Sequence, residues 1–408
     1  MSESSSPAAL LVSRSQSLVD AAADDGLRPE PALTVSEWAD QHRILSGKAA
    51  SEAGPWRTDR TPYLRDIMDA LSVTSPAQRI VFMKGAQIGA TEAGVNWIGY
   101  VIHHAPGPML VVWPTVDMGK RNSKQRIAPL VEETPALRAI VKEARSRDSG
   151  NTLLSKEFPG GILVITGANS SVGLRSMPVR FLFLDEADAY PGDVDGEGDP
   201  IALAESRTRT FRQRRKIFIP STPTIAGRSR VEREYLRSDQ RRYFVPCPHC
   251  KSMQLLRFPQ LRWPKGEPHK AEYQCEACSQ PIGEQHKTEM LRRGQWRATA
   301  TGDGRTIGFH LSSLYSPVGW MSWGEIAEKF LAAQGDAELM KEFVNTVLGE
   351  TWQARGDAPE WQDVYRRRDT YRSGTVPRGT LILFGGVDVQ KDRLEVGVWG
   401  SAATGSAG

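Results

Sequence analysis

An α/β fold with a parallel central sheet is what this sequence predicts, and three observations predict it. Short, continuously apolar runs recur along the first half: RIVFM (79–83), PMLVVWP (108–114), GILVITG (161–167), VRFLFLDE (179–186) and KIFIPST (216–222), with longer helical patterns between them. Strands lacking polar alternation are buried on both faces, as parallel strands covered by helices are. The first run passes through a glycine-containing turn into TEAGVNWIGYVI, a helical pattern, and the fourth ends in adjacent carboxylates. Both features fall at C-terminal strand ends, the edge where open α/β sheets hold ligands.

In chain order, residues 1–32 form a lead-in rich in Ser, Ala and Asp, with no basic-then-apolar pattern of an export signal. Order begins near Leu33, where TVSEWADQHR reads as a helix capped by Thr34 or Ser36 with Glu37 in its first turn. The α/β domain extends over 33–234, a cysteine-bearing insertion over 235–283 and a mixed linker over 284–379. The segment 380–408 opens a further domain with two strands joined by a turn at 390–392. Hydrophobic residues make up 39% and charged residues 25%, which is ordinary for a globular chain and names no function. The net charge of +4 is mild, so any attraction to nucleic acid rests on local runs such as RTRTFRQRRK (207–216), which also fits a solvated face. No apolar stretch is long enough to span a membrane.

The turn KGAQIGAT (84–91) has the shape of a phosphate-binding loop with its lysine displaced. Such loops commonly place lysine just before a Ser/Thr, so that backbone amides and one ammonium surround phosphate while the hydroxyl binds magnesium. Here Ala90 stands in the lysine slot, Thr91 in the hydroxyl slot and Gly89 at the later glycine, while Lys84 opens the motif. Because the loop curls, its first residue can reach the same oxygens. Lys84, Gly85, Gln87, Gly89, Ala90 and Thr91 are therefore the candidate ATP-binding residues, although a glycine turn between strand and helix is common and weak alone.

The run VRFLFLDEAD strengthens the reading by delivering Asp185 and Glu186 to the same sheet edge. Asp185 would hold magnesium and Glu186 would orient or deprotonate the attacking water. After KIFIP come Ser221, Thr222 and Thr224, placed where a coupling segment would sense a γ-phosphate, though an ordinary turn has the same composition. Arg175 and Arg180, in GANSSVGLRSMPVR, are candidates for a charge-stabilising finger and could equally contact DNA phosphate or a structural carboxylate.

All four cysteines lie in two pairs, CPHC (Cys247, Cys250) and CEAC (Cys275, Cys278), 24 residues apart. That spacing suits one tetrahedral Zn2+ with a structural role, with His249 a bystander. Near the end, FGGVDVQKDRLEVGVWG sets Asp388 within a strand, the way a ribonuclease-H-like nuclease begins. A two-metal site needs further carboxylates later in the chain, and a solubilising aspartate remains the plain alternative.

Taken together, KGAQIGAT, GPMLVVWPT, NSSVGLRS, FLFLDEADAY, STPT, CPHC, CEAC, FVNTVLGETW and GGVDVQKDRLE resemble, in this order, the large terminase subunit of tailed bacteriophages, in the GpA family of the phage lambda type. The resemblance runs from about Leu33 to about Gly400. It implies a RecA-like, P-loop ATPase domain that drives viral DNA into the procapsid, followed by an endonuclease that cuts concatemeric DNA with Mg2+ or Mn2+, Asp388 being its first ligand. The implied partners are double-stranded DNA, the small terminase subunit and the portal protein. The setting is the bacterial host cytoplasm, the working state a homo-oligomeric ring, and no membrane is involved. Because the family continues beyond Gly408, the resemblance also implies a truncated, inactive nuclease. Two rivals compete: a superfamily 2 helicase-like translocase, which needs a second motor domain after residue 230, and a zinc-dependent DNA-binding protein without catalysis, which leaves Lys84, Asp185 and Glu186 unexplained.

Overall fold

The computed structural model describes residues 16, 32–47, 51–141, 151–353, 375–376, 380–389 and 394–402. The chain divides into two compact units, Met1–Gln353 and Ala354–Gly408.

All five expected strands form, as β1 Arg79–Lys84, β2 Met109–Trp113, β4 Gly161–Gly167, β5 Phe181–Leu184 and β6 Lys216–Ser221, with β3 Ser155–Phe158 preceding β4. They belong to a 10-stranded sheet that also takes β7 Arg241–Pro246, β8 Met253–Leu255, β12 Gln295–Arg297 and β13 Thr306–Leu311. The order is β8-β7-β13-β1-β6-β5-β2-β4-β3, with β12 also on β7. From β7 to β4 every pairing is parallel; β3, β8 and β12 are antiparallel additions at the margins.

Side chains along these strands alternate between two cores, as the pleat requires. Ile80, Phe82, Met109, Val111, Phe181, Phe183 and Phe218 enter the larger core, while Leu110, Val112, Leu182, Leu184, Ile217 and Ile219 enter the other. The larger core is filled by α3 Ala90–His103, whose Trp97 meets Phe181 and Phe218 edge-on. Before it, α1 Val35–His42 starts with a full capping box between Thr34 and Glu37, and α2 Leu64–Ala70 leads towards β1. Each large apolar side chain so buried stabilises the fold by about 1.5–3 kcal/mol.

The structure corrects the expected division of the chain. The sheet does not end at residue 234: β12 and β13 come from the segment expected as a linker, and β13 lies between β7 and β1 in full parallel register with β1, Thr306 opposite Arg79 and Leu311 opposite Lys84. A strand this distant in sequence can join the interior because TIGFHL is apolar enough to be covered on both faces. The cysteine insertion adds a separate three-stranded sheet of β9 Leu261–Arg262, β10 Glu272–Gln274 and β11 Pro281–Ile282.

In the second unit, β14 Thr380–Val389 and β15 Leu394–Ala402 pair antiparallel, with Asp388 opposite Glu395. The expected turn at 390–392 and the Asp388 side chain lie outside the described residues.

Candidate functional site

The turn after β1 is sharply bent. Gln87 (φ 56) and Gly89 (φ 86) both adopt left-handed conformations, which turns the chain sharply into α3. The first-turn N–H groups of α3 have no intrahelical acceptors, and Gly89 offers them no side-chain cap, so they remain at the positive end of the helix dipole for a ligand. The loop is pinned from behind: Gly85 N donates to Leu311 O (2.8 Å), Ala86 N to Thr346 O (2.6 Å) and the Tyr63 hydroxyl to Ile88 O (3.2 Å). A Cβ on Gly85 would lie 2.6 Å from Ser313 Oγ and 3.0 Å from Thr346 O, so only glycine lets the loop sit this close. These features fit a phosphate chain.

Lys84 ends β1 and reaches across β6 to the acidic turn after β5. Its Nζ lies 2.5 Å from Glu186 Oε1 and 3.1 Å from Thr222 Oγ1. Asp185 is buried, accepting from Thr91 Oγ1 at 3.1 Å and from Trp113 Nε1 at 3.1 Å. Burial, and after it the Glu186 carboxylate, pushes the Asp185 carboxyl up to about 6. Two carboxylates beside one ammonium leave net negative charge, which together with the Thr91 hydroxyl suits a divalent cation. Glu186 adopts φ 52, ψ 52, and its Oε2 accepts from Thr222 N at 3.2 Å, so its carboxylate is held on two sides.

The three hydroxyls at and just beyond the end of β6 all touch this turn. Ser221 Oγ accepts from Asp188 N (3.1 Å), Thr222 contacts both Lys84 and Glu186, and Thr224 Oγ1 donates to Asp188 Oδ2 (3.0 Å). Lys84, Asp185, Glu186, Thr91, Ser221, Thr222 and Thr224 are thus brought together.

The arginines and the basic run fare differently. Arg175 follows the short helix Ser171–Leu174 and is ion-paired with Glu197, a contact that links it to none of the residues above. Arg180 precedes β5 while Asp185 follows it, so the strand itself separates them by roughly 15 Å. Its guanidinium lies over Phe181 and donates to Arg214 O, which excludes it as a finger for this pocket in the same chain. Within the basic run, Lys216 is buried and donates to the carbonyls of Ala70, Ser75 and Ala77. Burial, and then Arg180, lowers its ammonium to about 8. That end of the run is structural.

Three functional features escaped the sequence. Trp113 signals only a buried strand end, yet its indole N–H fixes Asp185. Asp188 reads as part of DEAD, yet its Oδ1 accepts from Val231 N (2.8 Å) in the first turn of the helix Arg230–Leu236. The segment 343–353 forms a strap: after the π-helix Phe343–Leu348, Gly349 O meets His310 Nε2 at 2.9 Å, and Trp352 N donates to Thr224 O at 2.8 Å while Ala226 N donates to Trp352 O. One end of the strap therefore holds Ala86 of the loop and the other holds the segment after Thr222. FVNTVLGETW is one of the stretches that carry the resemblance, but its residue types do not announce these partners, which only its contacts reveal.

With that geometry in view, known families give a consistent answer. The family described as "Phage terminase large subunit gpA, ATPase domain" matches residues 50–296. This chain belongs to the phage terminase large subunit gpA family. The description "Terminase large subunit gpA, endonuclease domain" matches residues 306–406. The "Terminase, large subunit" of Escherichia phage lambda is 30% identical over 95% of this chain, and that of Enterobacteria phage P21 is 29% identical over 91%. The chain spans 63% and 60% of the lengths of these two relatives. Among solved structures, the large terminase ATPase domain of Thermus phage P74-26 is 17% identical, with a TM-score of 0.39 over 70% of this chain and 92% of its own. A large terminase from a thermophilic bacteriophage, solved in complex with ADP, is 14% identical, with a TM-score of 0.38 over 86% of this chain and 66% of its own. Within this gpA chain, β13 belongs to the endonuclease match by sequence but to the ATPase sheet by position.

Proposed function

We propose that this gpA-family chain is an ATP-hydrolysing motor that drives double-stranded viral DNA into a procapsid. The observation that carries the reading is the Lys84 ammonium, 2.5 Å from Glu186 and set beside the glycine turn and the buried Asp185. The first-turn amides of α3 and Lys84 bind the phosphates of ATP, and Gly85, Gln87, Gly89 and Ala90 give the loop its shape. Thr91 and Asp185 would hold Mg2+, which screens phosphate charge when bound. Glu186 orients the attacking water and accepts its proton. Ser221, Thr222 and Thr224 report the occupant of the pocket to Asp188 and the strap, and Arg175 is kept as a finger reaching a neighbouring subunit of a homo-oligomeric ring.

The procapsid portal, the small terminase subunit and the host cytoplasm complete the proposal by family. Asp388 would be the first Mg2+ or Mn2+ ligand of an endonuclease site. The helicase reading is not favoured, because among the described residues β7, β8, β12 and β13 join the first sheet and the other strands after residue 234 form only a three-stranded and a two-stranded sheet. DNA-stimulated, magnesium-dependent ATP hydrolysis by the purified chain tests the proposal; no hydrolysis and no nucleotide binding would sink it.

A further inference from the structure

The four cysteines take no part in the reaction above. Cys247 and Cys250 lie on the turn from β7 to β8, and Cys275 and Cys278 on the turn from β10 to β11. The Sγ atoms of Cys247 and Cys278 are 3.9 Å apart and those of Cys250 and Cys275 3.8 Å, and all four lie within 4.8 Å of one another. A tetrahedron of sulfurs bound at about 2.3 Å has edges of roughly 3.8 Å. Disulfides would need about 2.05 Å.

The two turns repeat one geometry. Lys251 N donates to Cys247 O (3.0 Å) and Ser279 N to Cys275 O (3.1 Å); Cys247 N donates to Ser252 O (2.9 Å) and Cys275 N to Gln280 O (3.0 Å). Lys251 (φ 65) and Ser279 (φ 58), each directly after the second cysteine of its pair, are both left-handed. Matching conformations unusual for non-glycine residues indicate backbones bent to aim thiolates at one point. Ala277 N also donates to Cys275 Sγ (3.4 Å), a contact that favours thiolate. His249 instead meets Pro281 O at 3.0 Å.

Strands of two or three residues cannot hold this small sheet alone. The Tyr273 hydroxyl of β10 ties it to the main sheet, joining Leu255 O (2.7 Å) and Arg257 N (3.0 Å); the Tyr315 hydroxyl joins Leu256 N (2.7 Å) and Tyr243 O (2.7 Å), bridging the β7–β8 hairpin whose turn carries Cys247 and Cys250. Tyr315 closes the three-residue helix Ser313–Tyr315, whose Ser313 Oγ donates to Ala86 O at 3.3 Å in the loop.

We propose that Cys247, Cys250, Cys275 and Cys278 bind one structural zinc ion, and that this ion, through Tyr315 and Ser313, keeps the phosphate loop in place. The second half rests on the nucleotide reading of that loop. Four sulfurs close the coordination sphere, so the ion has no open position for chemistry.

Elemental analysis of the full chain, purified under reducing conditions, should find one zinc per chain, released stoichiometrically by a thiol-blocking mercurial. Cobalt exchanged into the site should give the visible absorption of tetrahedral thiolate cobalt, and His249→Ala should change neither result. Iron in place of zinc, or four thiols reacting freely with no metal bound in a zinc titration, would overturn the site. Stripping zinc and restoring magnesium should weaken binding of a fluorescent ATP analogue by at least about fivefold. Unchanged affinity overturns the coupling while the metal site stands. A zinc-loaded chain that binds no analogue at all refutes the nucleotide reading, not the zinc.

Discussion

Lys84 Nζ and Glu186 Oε1 approach to 2.5 Å although β6 lies between their strands. On the proposed reading, the ammonium that would bind phosphate is thus also the counter-charge of the carboxylate that would act as the base. Lys84→Ala should abolish ATP binding and leave Glu186 without its partner. Glu186→Gln should retain binding and lose turnover by about 100-fold or more, the usual weight of a general base. Binding and single-turnover hydrolysis separate the two; a Lys84→Ala protein that binds ATP normally would move the nucleotide site elsewhere.

Gly85→Ala should weaken nucleotide binding without unfolding the sheet, because its Cβ would meet Ser313 Oγ at 2.6 Å and Thr346 O at 3.0 Å. Removing the hydroxyl with Ser313→Ala in the same chain should recover part of the affinity, since the backbone contacts remain. Equal affinity in the single and double variants would show that the clash is relieved another way.

Asp188→Ala removes one cap of the helix Arg230–Leu236 and the bond to Thr224. The loss of the cap should cost about 1 kcal/mol in urea unfolding. If Asp188 joins the pocket to the coupling segment, ATP affinity stays near the wild-type value while DNA stimulation of hydrolysis falls. Loss of stability with stimulation intact would leave Asp188 a structural cap only.

His310 is buried between two partners that fix its state: Arg242 can only donate to Nδ1, and Gly349 O can only accept from Nε2–H. Burial, and then the Arg242 charge, lowers this imidazole to about 3. The unfolded chain, with an ordinary value near 6.5, takes up the proton first. Stability present above about pH 6.5 is therefore lost as pH falls towards the folded value, by up to about 1.4 kcal/mol per pH unit. Urea midpoints of wild type and His310→Gln should converge between pH 6.5 and 4; a constant difference would show that His310 does not titrate on unfolding.

What the sequence made legible was whatever is local. Continuous apolar runs named five strands because parallel strands are covered on both faces, and glycine, hydroxyl and carboxylate at strand ends named the pocket. Partnership was not legible. Nothing in TIGFHL says that it lies beside RIVFM, because that pairing is decided by burial across some two hundred residues of chain. Arg175 and Arg180 looked alike until one met Glu197 and the other Phe181. Asp188 and the strap lie in stretches that carry the resemblance, but their partners were not legible, since a cap or a carbonyl acceptor is any suitable group that happens to arrive.

The position of β13 bears on how such genes can recombine. The two family matches meet between residues 296 and 306, yet β13 begins at Thr306 and lies against β1. A chimaera joined at that seam would set one parent's phosphate loop against the other parent's neighbouring strand and strap. Viable exchanges are therefore expected past Gln353, and an ATPase half excised at residue 296 would leave the N–H and C=O groups of β1 facing β13 without partners.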